Sequence, residues 1–396
     1  MFEFGRLLLL GFGIVVTYFS LIVTSYSIQP NIWKWKTYNI AYEKATNDGK
    51  DNVPLSCDPV LLLNGFGVGT FHQHRLIPQL LSTRDGEDNM VIYGIDYLGQ
   101  GCSWPIECDD GNSSNEAGLA YSADTWANQI ISFLECVVLP AHPGHKVHLV
   151  GNSVGGHISV LLAHERPDLV SSVCLLNATP VWGLNLPGWD GRLPPPPIPR
   201  QIGRYLFDKI RDYDTIEKYL DNAYSNRDAF DDELMHQIRQ CTEGKGGHAA
   251  FASILFSPPA TFDGNFQKNF YHELTELKCD VLLIFGKNDP WCSPAFGRKM
   301  MLHLLEREKK SISPIPIQRY IELDNVGHCP NHEAPTSVGI ITHRWIHAKD
   351  RSIEHLTLVD NDVRVVDEPW GRITAEEVLR NDLTFSFMDR LTTSLV

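Results

Sequence analysis

The chain is 396 residues long, room for one large or two ordinary domains, and its 43% hydrophobic and 21% charged residues describe a globular protein with ample core. With 34 Lys and Arg against 48 Asp and Glu the formal charge is −14, and no basic run offsets it, which argues against nucleic acid as a partner. The nine cysteines are scattered, odd in number and form no C-x-x-C pair. This fits reduced, buried thiols better than a disulfide framework or a zinc site, although a Cys102–Cys108 bridge stays open in an oxidising compartment.

Residues 7–28 carry no charge and are numerous enough to span a bilayer. The stronger part, residues 7–16, also has the length of a signal-peptide core, and Ser25-Tyr26-Ser27 resembles a small-x-small cleavage site. Residues 1–30 therefore read as a signal peptide or as a retained membrane anchor. Glu3 and Arg6 before the run and Lys34 and Lys36 after it leave its orientation open. Residues 32–43 alternate in polarity and predict one or two strands, followed by a polar loop over 46–57. Val60–Leu63 is short and fully apolar, a buried strand, and opens into Asn64-Gly65-Phe66-Gly67-Val68-Gly69. A second buried strand over 90–97 leads to a turn-rich loop over 96–103. Residues 121–138 have helical apolar spacing with Ser122 as N-cap.

The most informative stretch is residues 145–163, HKVHLVGNSVGGHISVLLA. It begins strand-like, turns through Gly151-Asn152-Ser153-Val154-Gly155-Gly156 and continues as a helix. Gly-x-Ser-x-Gly recurs by chance, but a strand before it and a helix after it are the context of a nucleophile elbow. The turn is so tight that only Gly151 and Gly155 avoid a clash, and it lifts the Ser153 hydroxyl above the sheet edge. The N–H groups at the helix start then face a developing oxyanion. The glycines after Val60–Leu63, Gly65 and Gly67 among them, let a second backbone donor approach. Phe66 N–H paired with Val154 N–H is the candidate oxyanion hole.

After a strand over 169–176 the texture changes. Residues 181–200 are rich in glycine and proline, 202–241 are polar and helical with Leu206, Ile210, Ile216, Leu220 and Leu234 on one side, and 248–256 are more apolar. This insertion, about 181–268, predicts a helical cap over the serine. Strand character returns over 281–285 and 317–323, with helices over 300–307 and 334–347. Alternation of strand and helix through 60–347 predicts an α/β fold with a mostly parallel, doubly wound sheet and the cap inserted between two of its strands. The domain is placed at 31–350. Residues 351–396 are a charged extension of unassigned role, with strand character over 363–366 and a helix expected over 374–380.

An elbow serine is inert without a base. The order in such sheets is serine, acid, histidine. Asp289 follows the strand over 281–285, and His328 lies in a glycine loop after the next strand. His328 would take the Ser153 proton and return it to the leaving alcohol, while Asp289 would fix its tautomer. Asp324 competes as the acid but sits at a strand end. His332, four residues after His328, suggests a metal pair, but a third ligand is missing and a proline intervenes, so no metal is expected. His72 and His74 read as surface or supporting groups, and His157 as packing on the helix. Phe66, Trp104, Trp182 and Trp291 are loop aromatics that could line an apolar pocket. A serine at the elbow speaks against chemistry that needs a carboxylate nucleophile.

Asn64–His72, Leu98–Gly101, Gly151–Gly156, Leu175-Leu176-Asn177-Ala178-Thr179-Pro180, Asp289-Pro290-Trp291 and Gly327-His328-Cys329-Pro330, with Phe251–Ile254 in the cap region, resemble the pheophytinases and related chlorophyll-dephytylating enzymes. The resemblance covers about 60–347. It implies an α/β-hydrolase fold and a cofactor-free serine esterase that cleaves the phytyl ester of chlorophyll or pheophytin, usually in plastids. By position it places the nucleophile on Ser153 and the histidine on His328; Asp289 matches the acid position of the general fold. Two residues depart from the plant pattern: Asn64 stands where proline is expected, and the elbow reads Gly-Asn-Ser-Val-Gly-Gly rather than the Gly-His-Ser-Arg-Gly-Gly of plant chlorophyllases. The pigment therefore stays open. The expected partners are a chlorophyll-type pigment and a membrane. The expected location is the plastid, reached through an endoplasmic-reticulum-type signal, with the endomembrane system as the alternative. Two other functions remain in view: a lipase or carboxylesterase for membrane acyl lipids, and an inactive pigment- or lipid-binding relative.

Overall fold

The computed structural model describes residues 26–47, 55, 57–82, 89–104, 107–183, 188–258, 270–309, 315–348, 350–351, 356–386, 389–390 and 393. The first 25 residues, which hold most of the apolar run, lie outside them. Among the described residues no helix is long and apolar enough to cross a membrane.

Among the described residues ten strands form one sheet. They are β1 (Tyr26–Trp35), β2 (Tyr38–Asn47), β3 (Val60–Leu63), β4 (Val91–Ile95), β5 (Val147–Asn152), β6 (Val170–Leu176), β7 (Asp280–Gly286), β8 (Gln318–Asp324), β9 (Val365–Glu368) and β10 (Gly371–Glu377). Their order is β1-β2-β4-β3-β5-β6-β7-β8-β10-β9. The six central strands, β4 to β8 in that order, are parallel. An antiparallel β1–β2 hairpin extends one edge and the β10–β9 hairpin extends the other. Residues 26–30, assigned by sequence to the N-terminal segment, form the first half of β1.

β3 and the body of β7, Val281–Phe285, read as unbroken apolar runs because both their faces are covered. Leu61, Leu63, Leu149, Val173, Leu283 and Phe285 point into one core layer, under helices α2 (Ala123–Phe133), α3 (Val154–Glu165), α8 (Phe270–Glu276) and α9 (Pro294–Leu305). Val60, Leu62, Val150, Leu176, Leu282 and Ile321 point into the other, under α1 (Leu76–Leu81) and α11 (Pro335–His347). A four-residue helix, α10 (Pro330–Glu333), precedes α11. Ser122 caps α2, accepting from Thr125 N–H as its position predicts.

Between β6 and β8's neighbour β7 the chain makes α4 (Pro197–Ile210), α5 (Tyr213–Ala223), α6 (Asp232–Gln240) and α7 (Gly247–Phe256). Ile216, Leu220, Ala223, Tyr224, Phe230 and Leu234 bury one another in a small core of their own, which reaches Cys329 beside the His328 loop. The tail corrects an expectation. Residues 374–377 are strand, not helix: Ile373 and Ala375 alternate inward and pack on the second core layer, and the otherwise open edge of β8 supplies the pairing. The strand expected over 363–366 is a short helical turn up to Arg364 and then β9. All nine cysteines are free thiols, Cys102 and Cys108 included.

Candidate active site

Ser153 stands between β5 and α3 with φ 53° and ψ −115°, outside helix and strand geometry. Such a backbone costs on the order of 1–3 kcal/mol and persists only where its surroundings hold it. Here its N–H donates to Leu176 O at 3.0 Å, and its carbonyl accepts from Gly156 N–H at 3.0 Å and Thr179 N–H at 3.2 Å. The glycines are required by contact. A Cβ at Gly155 would sit 2.2 Å from Leu63 O, and one at Gly151 would sit 2.4 Å from the Gly155 carbonyl. Asn152 Nδ2 donates to His328 O at 2.9 Å, which ties the elbow to the histidine loop.

The loop after β3 runs beside the serine. A Cβ at Gly65 would meet Asn152 Oδ1 at 3.1 Å and Ser153 Cβ at 3.5 Å. Gly67 has φ +81°, and its N–H donates to Gln100 Oε1 at 2.8 Å. Val154 opens α3 directly after Ser153, and Phe66 lines the same cavity as Ser153.

Asp289 and His328 are both buried and are joined by a 2.7 Å hydrogen bond from His328 Nδ1 to Asp289 Oδ2. Oδ2 also accepts from Asn177 Nδ2 at 2.8 Å, and Oδ1 accepts from the N–H groups of Trp291 and Cys292 at 2.8 and 3.0 Å. Four donors thus fill the carboxylate. Burial alone would raise the Asp289 carboxyl; the hydrogen bond and charge of His328, with the two backbone donors, outweigh it and hold it below the usual range. Burial alone would likewise lower His328, but Asp289, with Cys292 nearby, reverses the sign and raises the imidazole well above an ordinary histidine. Asp324 is exposed at the end of β8 opposite Thr374 and is not the partner.

Donor atoms of Asp289, Cys292 and His328 lie within 4.8 Å of one another, a spacing that could hold a metal ion. The carboxylate is already saturated, and a metal would have to displace the Nδ1 hydrogen. The set therefore fits a hydrogen-bonded pair beside a thiol better than a metal centre.

Ser153 and His328 line one cavity of about 430 Å³. Its walls are mainly apolar: Ile210, Ile216, Leu220 and Ile238 from the helical insertion, with Phe251 and Phe66. Phe66 and Trp291 are 39% and 46% exposed, so they stand at its open side, and Trp291 packs edge-on against the His328 ring at 5.0 Å. The other two loop aromatics do not line it. Trp182 is buried on Trp126 with its Nε1 donating to Ser257 Oγ, and Trp104 lines a smaller adjoining cavity. His157 packs behind the elbow on Phe270. His74 pairs with Glu43, while His72 lines the cavity, bonds Tyr224 OH at 2.9 Å, and is pushed down to about 3 by burial and the Arg75 charge. His332 stacks on His72 and bonds the same tyrosine.

Sequence reasoning missed the role of Asn177. It sits at the end of β6 with φ 40°, donates to Asp289 and accepts from Gly286 N–H at 2.8 Å. The only signal was its place in the Leu175–Pro180 motif. Glu333, which grips the His328 loop, and Trp370, which grips Glu333, left no signal.

A strand–serine–helix elbow at the C-terminal edge of a parallel sheet, with an acid–histidine pair on later strands, defines a hydrolase class, and the model of the alpha/beta hydrolase family matches residues 60–338, so the chain belongs to that family. Within it the chain is pheophytinase-like. It is 31% identical over 373 residues to "Pheophytinase, chloroplastic" of Arabidopsis thaliana, covering 85% of this chain and 69% of that protein. A 2-hydroxymuconate semialdehyde hydrolase of Pseudomonas sp. (strain CF600) is 23% identical over 239 residues, 58% of this chain and 70% of that one. Among solved structures, a serine hydrolase from Cycloclasticus zankles superposes with a TM-score of 0.57 at 16% identity, covering 82% of this chain and all of that one, which speaks to the fold alone.

Proposed function

We propose that the protein is a serine esterase that removes phytol from a chlorophyll-type pigment, with Ser153 as nucleophile, His328 as base and Asp289 as its orienting acid. The observation that carries this is the Asp289–His328 hydrogen bond behind a histidine that lines one cavity with Ser153. Ser153 Oγ attacks the ester carbonyl carbon while its proton passes to His328 Nε2. The N–H groups of Phe66 and Val154 receive the oxyanion. As the tetrahedral intermediate collapses, the bond to the phytyl oxygen breaks and His328 protonates the departing alcohol. Water, activated by the same histidine, then hydrolyses the acyl-enzyme and restores the serine. Asp289 keeps the Nδ1 hydrogen on its own side, so that Nε2 faces the serine as acceptor.

The substrate class rests on the pheophytinase relative and on the cavity. An apolar space of about 430 Å³ walled by helices of the insertion, among them α4, α5 and α7, suits an isoprenoid chain. A chain of roughly 20 carbons, at about 0.8 kcal/mol per CH₂ kept from water, stays in a membrane unless an apolar cleft receives it, and this cavity offers such a surround. A plastid location and membrane association go with this reading. The test incubates the full-length chain in mild detergent with chlorophyll a, pheophytin a and a short p-nitrophenyl ester, beside Ser153→Ala. Chlorophyllide or pheophorbide well above that control supports dephytylation and ranks the two pigments. Cleavage of the short ester alone, together with acyl glycerols, would point to a lipase. Absence of all turnover would leave a binding protein.

A further inference from the structure

Beyond residue 350 the chain adds the β9–β10 hairpin to the edge of the sheet, and contacts of that hairpin converge on the histidine loop. The turn between β9 and β10 presents Trp370. Its indole Nε1 donates to Glu333 O at 2.6 Å, its carbonyl accepts from Asn226 Nδ2, and the Arg75 guanidinium lies 4.6 Å above its ring. Glu333 is fully buried five residues after His328. Its Oε2 accepts Gly327 N–H at 2.6 Å and its Oε1 accepts Asn226 N–H at 2.7 Å. One carboxylate therefore bridges the residue before the histidine to the segment that follows α5, and the last residue of α5 receives His328 N–H on Ala223 O at 2.6 Å. Contact there is so close that a Cβ on Gly327 would lie 2.1 Å from Ala223 O. A second contact fixes the hairpin to the next helix: Glu368 on β9 accepts the N–H of Thr336 at 2.8 Å and its hydroxyl at 3.0 Å, at the start of α11.

We propose that Trp370 and Glu333 are positioning residues that clamp the His328 loop to the helical insertion, which makes the C-terminal hairpin part of the catalytic unit. The inference rests on the Ser153–His328–Asp289 reading. Removing the clamp leaves the three side chains in place chemically but lets the histidine backbone drift against Ser153, and displacements on the order of 1 Å can cost up to about a hundredfold in rate.

The test uses full-length protein and a short p-nitrophenyl ester that scarcely fills the cavity. Trp370→Ala removes the indole's hydrogen bond to Glu333 and its ring on Arg75 and leaves the Glu333 carboxylate in place. Trp370→Phe keeps a ring on Arg75 and removes only the indole N–H. Glu333→Gln leaves one oxygen for two N–H donors. A fluorophosphonate titrates the competent serine in each preparation, so kcat is counted per folded site. The expected result is a kcat lowered about tenfold or more in Trp370→Ala and Glu333→Gln, a smaller loss in Trp370→Phe, and KM within about twofold throughout. Wild-type kcat per titrated site in the variants, even with a lowered melting midpoint, would overturn the proposal, as would a change confined to KM. Should Trp370→Ala fail to fold, Trp370→Phe decides. Full activity in Ser153→Ala would instead overturn the underlying triad, a result the clamp variants cannot imitate.

Discussion

Replacing Asn177 with alanine should damage stability and catalysis together, and the structure gives the size of each effect. The side chain is buried, donates to the Asp289 carboxylate at 2.8 Å and accepts from Gly286 N–H at 2.8 Å. Loss of a hydrogen bond to a charged group is worth about 1.5–3 kcal/mol, and an orphaned buried N–H costs about 1–3 kcal/mol. Alanine at φ 40° adds roughly 1 kcal/mol that asparagine tolerates better. The sum is about 3.5–7 kcal/mol, a fall in melting midpoint on the order of 5 °C or more. With one of its four donors gone, Asp289 is held less firmly against His328 Nδ1, and kcat on a p-nitrophenyl ester should fall about ten- to a hundredfold. Asn177→Gly separates the contributions, because glycine accepts the positive φ: it should recover roughly 1 kcal/mol of stability and none of the activity. Differential scanning fluorimetry and steady-state kinetics read the two. An Asn177→Ala protein with wild-type midpoint and kcat would refute the reasoning that this residue anchors the acid.

Asp289→Asn should lower kcat by on the order of 10³–10⁴, since the amide no longer fixes the tautomer. It should also move the pH profile in a definite direction. Asp289 stabilises the His328 imidazolium and raises its pKa, and only the neutral ring accepts the serine proton. Activity of the wild type therefore rises with pH through a limb displaced above the ordinary histidine value of 6.5, and removal of the carboxylate should shift that limb down; a limb that stays in place would contradict the pairing. Gly155→Ala should fail to give folded, active protein, because its Cβ would meet the backbone of Leu63 at 2.2 Å, whereas Gly67→Ala, with open space around it but φ +81°, should cost only about 1 kcal/mol. Equal yield and activity of the two variants would contradict the packing described for the elbow.

Much of this architecture is written in local patterns. Val60–Leu63 and Val281–Phe285 are apolar without interruption because helices cover both faces of their strands, and such runs are hard to mistake once turn residues bound them. Chain order placed Ser153, Asp289 and His328 at one sheet edge because each follows directly on a parallel strand. What could not be read was decided by distant partners. Residues 374–377 carry helix-compatible side chains, and only the free edge of β8 and the core beneath Ile373 and Ala375 make them a strand. Asn177, Glu333 and Trp370 act through contacts between distant parts of the chain, 144 residues apart for Asn226 and Trp370 and farther for Arg75 and Trp370, and a single sequence carries no period for those.

The most direct test of the central claim is to trap the nucleophile. Full-length protein reacted with a fluorophosphonate and digested for mass spectrometry should carry the adduct on Ser153 alone, with His328→Ala slowing labelling by on the order of a thousandfold. An adduct on any other residue, or labelling that persists in Ser153→Ala, would contradict the account.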